Sequence, residues 1–160
     1  MNRNRILPHI KKLAFVLLLV LAIIAGCLWV NDHVYFSGKD VDGIYVEEDV
    51  RIVTERNWGI NYCKLLKKAI KGSKEDIKKL ILLDFSGSGA VGYDHGDVVV
   101  KLIDRLGEET IISSLGEQLS IEEKSGIKAD IDVGLEYGSN PYQGQKLEKT
   151  FPLLYQYLQQ

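Results

Sequence analysis

The chain has 160 residues, of which 46% are hydrophobic and 26% are charged, and its formal net charge is −2. The first 26 residues carry four of the 20 Lys and Arg residues and none of the 22 Asp and Glu residues, so residues 27–160 carry a net charge of −6. This acidic balance argues against binding to nucleic acid, which requires a basic face. With only two cysteines, the chain has no disulfide framework.

An apolar run at residues 13–30 follows a basic N-terminus, and no acidic residue occurs before Asp32. The basic residues in front of the run are Arg3, Arg5, Lys11 and Lys12. A basic segment followed by an apolar run and small residues is typical of an export signal. Because the positive flank stays in the cytoplasm, we expect the rest of the chain on the extracytoplasmic side of a membrane.

The end of the run, Ile24-Ala25-Gly26-Cys27, resembles the lipobox of bacterial lipoproteins. The resemblance covers residues 1–27 only. It implies that residues 1–26 are a signal peptide, and that Cys27 is lipidated and becomes the first residue after cleavage. The alternative is an uncleaved transmembrane helix, because about 17 apolar residues can suffice to span a bilayer. Both interpretations predict a domain anchored at the bacterial cell membrane, on its outer side.

Residues 31–42 are polar and mixed, and residues 27–42 are interpreted as a lipidated tether, followed by a single helical domain at 43–160. Two short stretches at 44–46 and 50–54 are rich in β-branched and aromatic residues. They predict a β-hairpin whose turn lies at 47–49.

From residue 58 onwards, apolar residues recur every three to four positions, as in amphipathic helices. The first helix ends at Gly72, and Ser73 with Asp76 caps a second helix that continues towards Phe85. After a glycine-rich break, Asp94 is predicted to be the N-cap of a helix that ends at Gly107.

Three further helical segments are predicted near 108–115, 121–137 and 145–158. Ser120 and Glu123 form a capping box for the second of them, and Pro152 kinks or divides the third. The sequence therefore predicts an all-α fold, a small bundle of five to six helices. Helix pairs at 73–106 and 108–137 are similar to a HEAT-type stack, although the two pairs share no side-chain pattern.

The glycine-rich break, Gly87–Gly92, matches the G-x-G-x-x-G pattern of dinucleotide-binding proteins. That reading requires a preceding strand and further βαβ units, which the sequence does not contain. We therefore expect a loop between two helices and no cofactor.

Asp94, His95 and Asp97 follow this loop and are weak candidates for acid–base catalysis or ligand binding. The competing interpretation is structural. Asp94 and Asp97 would then cap a helix, and His95 would be exposed in its first turn. Asp130, Asp132 and Glu136 lack the pattern of a calcium loop and are expected on a solvated helix face, so no metal site is predicted.

Lysines at the 60–71 helix give an acidic chain one locally basic strip. The candidate binding residues are Lys64, Lys67, Lys68 and Lys71, and the strip continues through Lys74, Lys78 and Lys79. Such a strip is either a solvated face or a docking surface for an acidic protein. The remaining cysteine, Cys63, lies in the same helix and is expected to be a small buried hydrophobic residue.

These features favour a membrane-tethered envelope protein that binds another protein, of an inhibitor, immunity or assembly-factor type. The alternative is an envelope enzyme or small-ligand binder that uses the Gly87–Gly92 loop with Asp94, His95 and Asp97. The two hypotheses differ in whether the lysine strip or the glycine loop is the functional surface.

Overall fold

The computed structural model describes residues 16–26, 38–85 and 87–160, and the chain divides into two compact units at 1–37 and 38–160. In the first unit, residues 16–26 are helical and are called α1. None of the helices in the described ranges is long and apolar enough to cross a membrane. The predicted lipidation site, Cys27, lies outside the described residues.

The second unit opens with an antiparallel β-hairpin made of β1 (Lys39–Val41) and β2 (Ile44–Val46). Val41 pairs with Ile44, so the turn consists of Asp42 and Gly43, both at positive φ. Asp-Gly is a preferred pair for this two-residue turn. The presence of a short hairpin and the strand at 44–46 are confirmed, but the turn predicted at 47–49 is wrong, and the first strand of the hairpin lies in residues that we assigned to the tether. The folded unit therefore includes residues 38–42.

The second predicted strand, 50–54, is wrong, because these residues lie inside helix α2 (Glu48–Trp58). Val50 and Thr54 are buried one helical turn apart, and the Thr54 hydroxyl donates a hydrogen bond of 2.6 Å to the Val50 carbonyl. Two acidic residues occupy the first turn, where the helix dipole favours them. Gly59 ends the helix in the left-handed conformation. Helical burial and capping outweigh β-branched propensity here.

Seven further helices complete the described part of the unit. They are α3 (Tyr62–Ile70), α4 (Lys74–Ile81), α5 (Ala90–Leu106), α6 (Glu108–Leu115), α7 (Ile121–Tyr137), α8 (Leu147–Thr150) and α9 (Pro152–Gln159). The prediction of a small helical bundle with a short hairpin is confirmed. There are more helices than expected because residues 48–58 are helical and because the last predicted helix divides at Phe151, with Pro152 opening α9.

The caps at Ser73 and Ser120 are confirmed, and the Ser120–Glu123 capping box is complete. The cap predicted at Asp94 is wrong. Helix α5 begins at Ala90 with Gly89 as its N-cap, so Asp94, His95 and Asp97 lie inside the helix. Helix α4 ends at Ile81, before the predicted end near Phe85.

The core of the unit is apolar, and α5 runs through its centre with all of Val98, Val99, Val100, Leu102 and Ile103 buried. The closest helix packing is that of α5 against α7, while α4 packs against α3 and α6. The pairs predicted for a HEAT-type stack, α4 with α5 and α6 with α7, are not among the main helix contacts of the described residues. The crossing of α5 and α7 positions most of the candidate functional residues.

Candidate functional site

Helices α5 and α7 approach each other closely because glycines face one another at the crossing point. A Cβ atom added to Gly96 would collide with the backbone of Asp130 and Gly134, and one added to Gly134 would collide with the backbone of Gly96. Glycine allows such contact between backbones because it has no side chain. The two glycines thereby fix the positions of the flanking residues on both helices.

Asp97 lies beside this crossing and is only 8% exposed. Its carboxylate accepts hydrogen bonds from Asn140 Nδ2 at 2.9 Å and from Ser139 Oγ at 3.3 Å, and it forms an ion pair of 2.5 Å with Lys101. Asn140 also donates to the carbonyl oxygen of Gly134. Asp97 therefore joins α5 to the segment that follows α7, and its carboxylate faces these protein groups.

His95 is completely buried, in contrast to its predicted exposure in a first turn. Its Nδ1 atom lies 2.8 Å from the hydroxyl of Tyr62, and its ring packs at 4.5 Å against Phe85. Burial lowers the pKa of His95 to about 3, so the imidazole is neutral near pH 7. Its Nε2 atom is buried and has no hydrogen-bond partner within the described residues. Such an atom lowers the stability of the fold, because it has lost its hydrogen bonds to water and gained none in return.

Asp94 is half-buried and faces other acidic groups. Burial raises the pKa of its carboxyl to about 6, with further contributions from Asp49, Glu47 and Asp97. Asp94, His95 and Asp97 thus lie on one helix but have different surroundings, and their side chains do not converge on one ligand position. No group of three potential metal ligands occurs in the described ranges.

The glycine loop borders a cleft of about 810 Å³, which we call the glycine-loop cleft. Its walls are residues 81–85, the glycines at 87, 89 and 92, Tyr93, and one face of α7 between residues 122 and 133. Its volume is in the range of small-molecule binding sites. Of the sequence-predicted candidates, the loop lies at this cleft, while Asp94, His95 and Asp97 are not among the residues that line it.

Asp130 lines the cleft instead and was expected on a solvated face. Burial, together with a smaller contribution from the charge of Asp84, raises the pKa of its carboxyl to about 7. The position of Asp130 on the buried side of α7 could have been predicted from its spacing to apolar and small residues. Ile127, Asp130 and Gly134 are separated by three and four residues and therefore share one face of α7.

The lysine strip lies on the opposite side of α3 from the core. Tyr62, Leu65, Leu66 and Ala69 are buried, while Lys64, Lys67, Lys68 and Lys71 repeat the same spacing two positions later and are exposed. A shift of two residues is a rotation of about 200° around a helix. We call the surface formed by these four lysines the lysine face. Only Lys68 among the four has an ion pair within the described residues, with Asp76 at 3.5 Å.

Cys63 is half-buried beside these residues and is a free thiol. Burial raises the pKa of its thiol, although Arg51 and Lys39 act in the opposite direction. A raised thiol pKa lowers the thiolate fraction and therefore the reactivity of the side chain.

Comparison with protein-family models, with curated proteins and with solved structures finds no match to this chain.

Proposed function

We propose that this chain is a membrane-tethered protein of the bacterial cell envelope, and that its helical domain binds an acidic protein through the lysine face. The observation that supports this proposal is the separation of charge on the folded unit. Residues 64–79 contain seven lysines and two acidic residues, whereas the rest of residues 38–160 contains nine basic and 19 acidic residues.

The arrangement of the lysines also supports a docking role. Lysines three or four residues apart on one helix face repel each other and lower the stability of the helix. Within the described residues, Lys64, Lys67 and Lys71 have no acidic partner that would offset this repulsion. An acidic protein would supply the missing negative charge, and it would also be steered towards this face during association.

The anchoring part of the proposal depends on the lipobox-like sequence at Ile24–Cys27. We expect the full-length chain in the membrane fraction of a bacterial host and expect acyl chains on Cys27. Cys27→Ser should abolish labelling by an alkyne fatty acid. A wild-type chain that stays in the membrane without being labelled would indicate the uncleaved helix, and a soluble wild-type chain would contradict both forms of the anchor.

Charge reversal on the lysine face tests the binding part of the proposal. The full-length chain is recovered from membranes under mild cross-linking, as wild type and as Lys67→Glu/Lys71→Glu. We expect the reversal to remove an acidic protein that copurifies with the wild type. With the purified partner, we expect the charge-reversal variant to bind at least about tenfold more weakly than the wild type. We also expect binding of the wild type to weaken as salt is added.

The matched control is Lys146→Glu/Lys149→Glu, which changes the net charge equally at two exposed lysines outside the lysine face. This variant should retain the partner. Equal loss in both variants, or no loss in either, would contradict the proposal. So would binding of the wild-type domain to anionic vesicles with the same dependence on Lys67 and Lys71, because the target would then be lipid.

A further inference from the structure

The glycine-loop cleft has mainly apolar walls. Leu82, Ala129 and Val133 are apolar lining residues with accessible surface, while Leu83, Phe85 and Ile127 line the cleft as buried members of the core. On α7, the small residues Gly126 and Ala129 line the cleft. A Cβ atom added to Gly126 would meet no atom within 4 Å. The small residues therefore leave room for an apolar group of a ligand.

The charged residues that line the cleft are all acidic. They are Asp84, Glu122, Glu123 and Asp130, and no Lys, Arg or His is among the described lining residues. Asp130 is half-buried, whereas Asp84, Glu122 and Glu123 are exposed. A carboxylate in an apolar setting attracts a cation more strongly than one in water.

An aromatic ring stands at the edge of the same cleft. Tyr93 is 43% exposed, lines the cleft and stacks on Tyr137 with ring centroids 4.8 Å apart. Phe85 is held between Trp58 and His95, at centroid distances of 5.2 Å and 4.5 Å. Aromatic faces next to carboxylates are the usual surroundings of bound ammonium groups, because the ring face carries partial negative charge.

We propose that the glycine-loop cleft binds an amphipathic organic cation, with its ammonium group near Asp130 and Tyr93 and its apolar body against Leu82, Ala129 and Val133. The apolar walls and the exclusively acidic charges together select this class over anions and over inorganic ions. The proposal is independent of the lysine face, whose charge is opposite and whose ligand is a protein.

A series of three probes with the same apolar tail tests the charge preference. Hexyltrimethylammonium, hexanol and hexanoate are titrated into the full-length protein by calorimetry at pH 8. We expect saturable binding of the cation at one site, at least about tenfold tighter than binding of hexanol, and no measurable binding of hexanoate.

Two variants, each with a control, locate the site. Asp130→Asn should weaken binding of hexyltrimethylammonium by about tenfold or more, whereas Asp132→Asn, on the same helix but outside the cleft, should not change it. Gly126→Leu places a side chain in the open space and should abolish binding. Ser125→Leu adds the same side chain at a neighbouring exposed position outside the cleft and should leave binding unchanged.

The proposal is overturned if the cation shows no saturable binding, or if hexanol and hexanoate bind as tightly as the cation. It is also overturned if both Asp130→Asn and Gly126→Leu bind like the wild type. Thermal melting of each variant verifies folding. Because the two substitutions are at different residues, a folding defect in one variant still allows the other to test the site.

Discussion

At the scale of single residues, the buried pair of Tyr62 and His95 is the most unusual polar contact of the core. Burial raises the pKa of Tyr62 and lowers that of His95, so both side chains are neutral near pH 7. When the Tyr62 hydroxyl donates to Nδ1, the proton of the imidazole is on Nε2, which has no acceptor among the described residues. Within the described part of the chain, the hydrogen bond to Tyr62 is thus the one polar contact that compensates for burying this imidazole.

A double-mutant cycle measures this hydrogen bond. We expect Tyr62→Phe to lower the free energy of unfolding by about 1–3 kcal/mol, because it leaves a second buried nitrogen of His95 unpaired. Combined with His95→Leu, the loss should be smaller than the sum of the single losses by about 1 kcal/mol. Urea denaturation provides the values. Tyr45→Phe, at an exposed tyrosine, is the control, and additive single effects would show that the two side chains do not interact.

The carboxyl of Asp130 predicts a pH effect on stability. Its pKa is about 7 in the folded protein and about 3.9 in an unfolded chain, so the folded state binds the additional proton between these values. The contribution of this group to stability therefore falls as the pH rises from about 4 to about 7.

Asp130→Asn removes this titration. Relative to the wild type, we expect the variant to be more stable at pH 8 than at pH 5, as measured by urea denaturation at both values. Comparison of the two proteins at each pH removes the contribution of His95, whose lowered pKa has the opposite effect. A stability difference that is the same at pH 5 and pH 8 would show that Asp130 is not buried as described.

At the scale of elements, the crossing of α5 and α7 determines the glycine-loop cleft. Gly96 and Gly134 let the two helices touch, and this contact places Asp130 next to the loop before α5. Glycine is unfavourable inside a helix by about 1 kcal/mol relative to alanine, so close packing has to offset that cost.

Two substitutions on α7 separate packing from helix propensity. Gly134→Ala should lower the free energy of unfolding by about 1–3 kcal/mol, because the added methyl group collides with backbone atoms of α5. Gly126→Ala meets no neighbouring atom and should raise it by up to about 1 kcal/mol. Thermal or urea unfolding of the two variants gives the comparison, and stabilisation by both would contradict the close crossing.

The amino-acid pattern predicts some elements of this fold better than others. Helices α4 and α7 have Ser caps followed by periodic apolar residues, and their N-termini are where we predicted them. The Asp42-Gly43 turn was a usable local signal that we missed, because the neighbouring strands are only three residues long.

The residues of the candidate site were harder to predict because their environment depends on tertiary contacts. His95 lies three residues before Val98 and seven before Leu102, on the same helix face as these core residues, and this spacing predicts its burial. Its partner Tyr62, however, is 33 positions away in the sequence. The cleft itself arises from the contact of α5 with α7, and no local pattern specifies that pairing.

At the scale of the whole molecule, the folded unit carries two regions of opposite character. The lysine face is an exposed basic surface on α3, and the glycine-loop cleft is an acidic, partly apolar concavity bounded by α7 and the loop before α5. The lysine face was predictable from composition and helical spacing alone. Its function as a docking surface remains the central claim of this account.

The most direct test of that claim is photo-cross-linking in the native membrane. A photoreactive amino acid replaces Lys67 in the full-length chain, and in a separate protein it replaces Lys149, an exposed lysine of α8. We predict that position 67 forms an adduct with one acidic protein, that position 149 does not, and that adding Lys64→Glu and Lys71→Glu removes the adduct. The same adducts from both positions, or an adduct at position 67 that persists after charge reversal, would contradict the account.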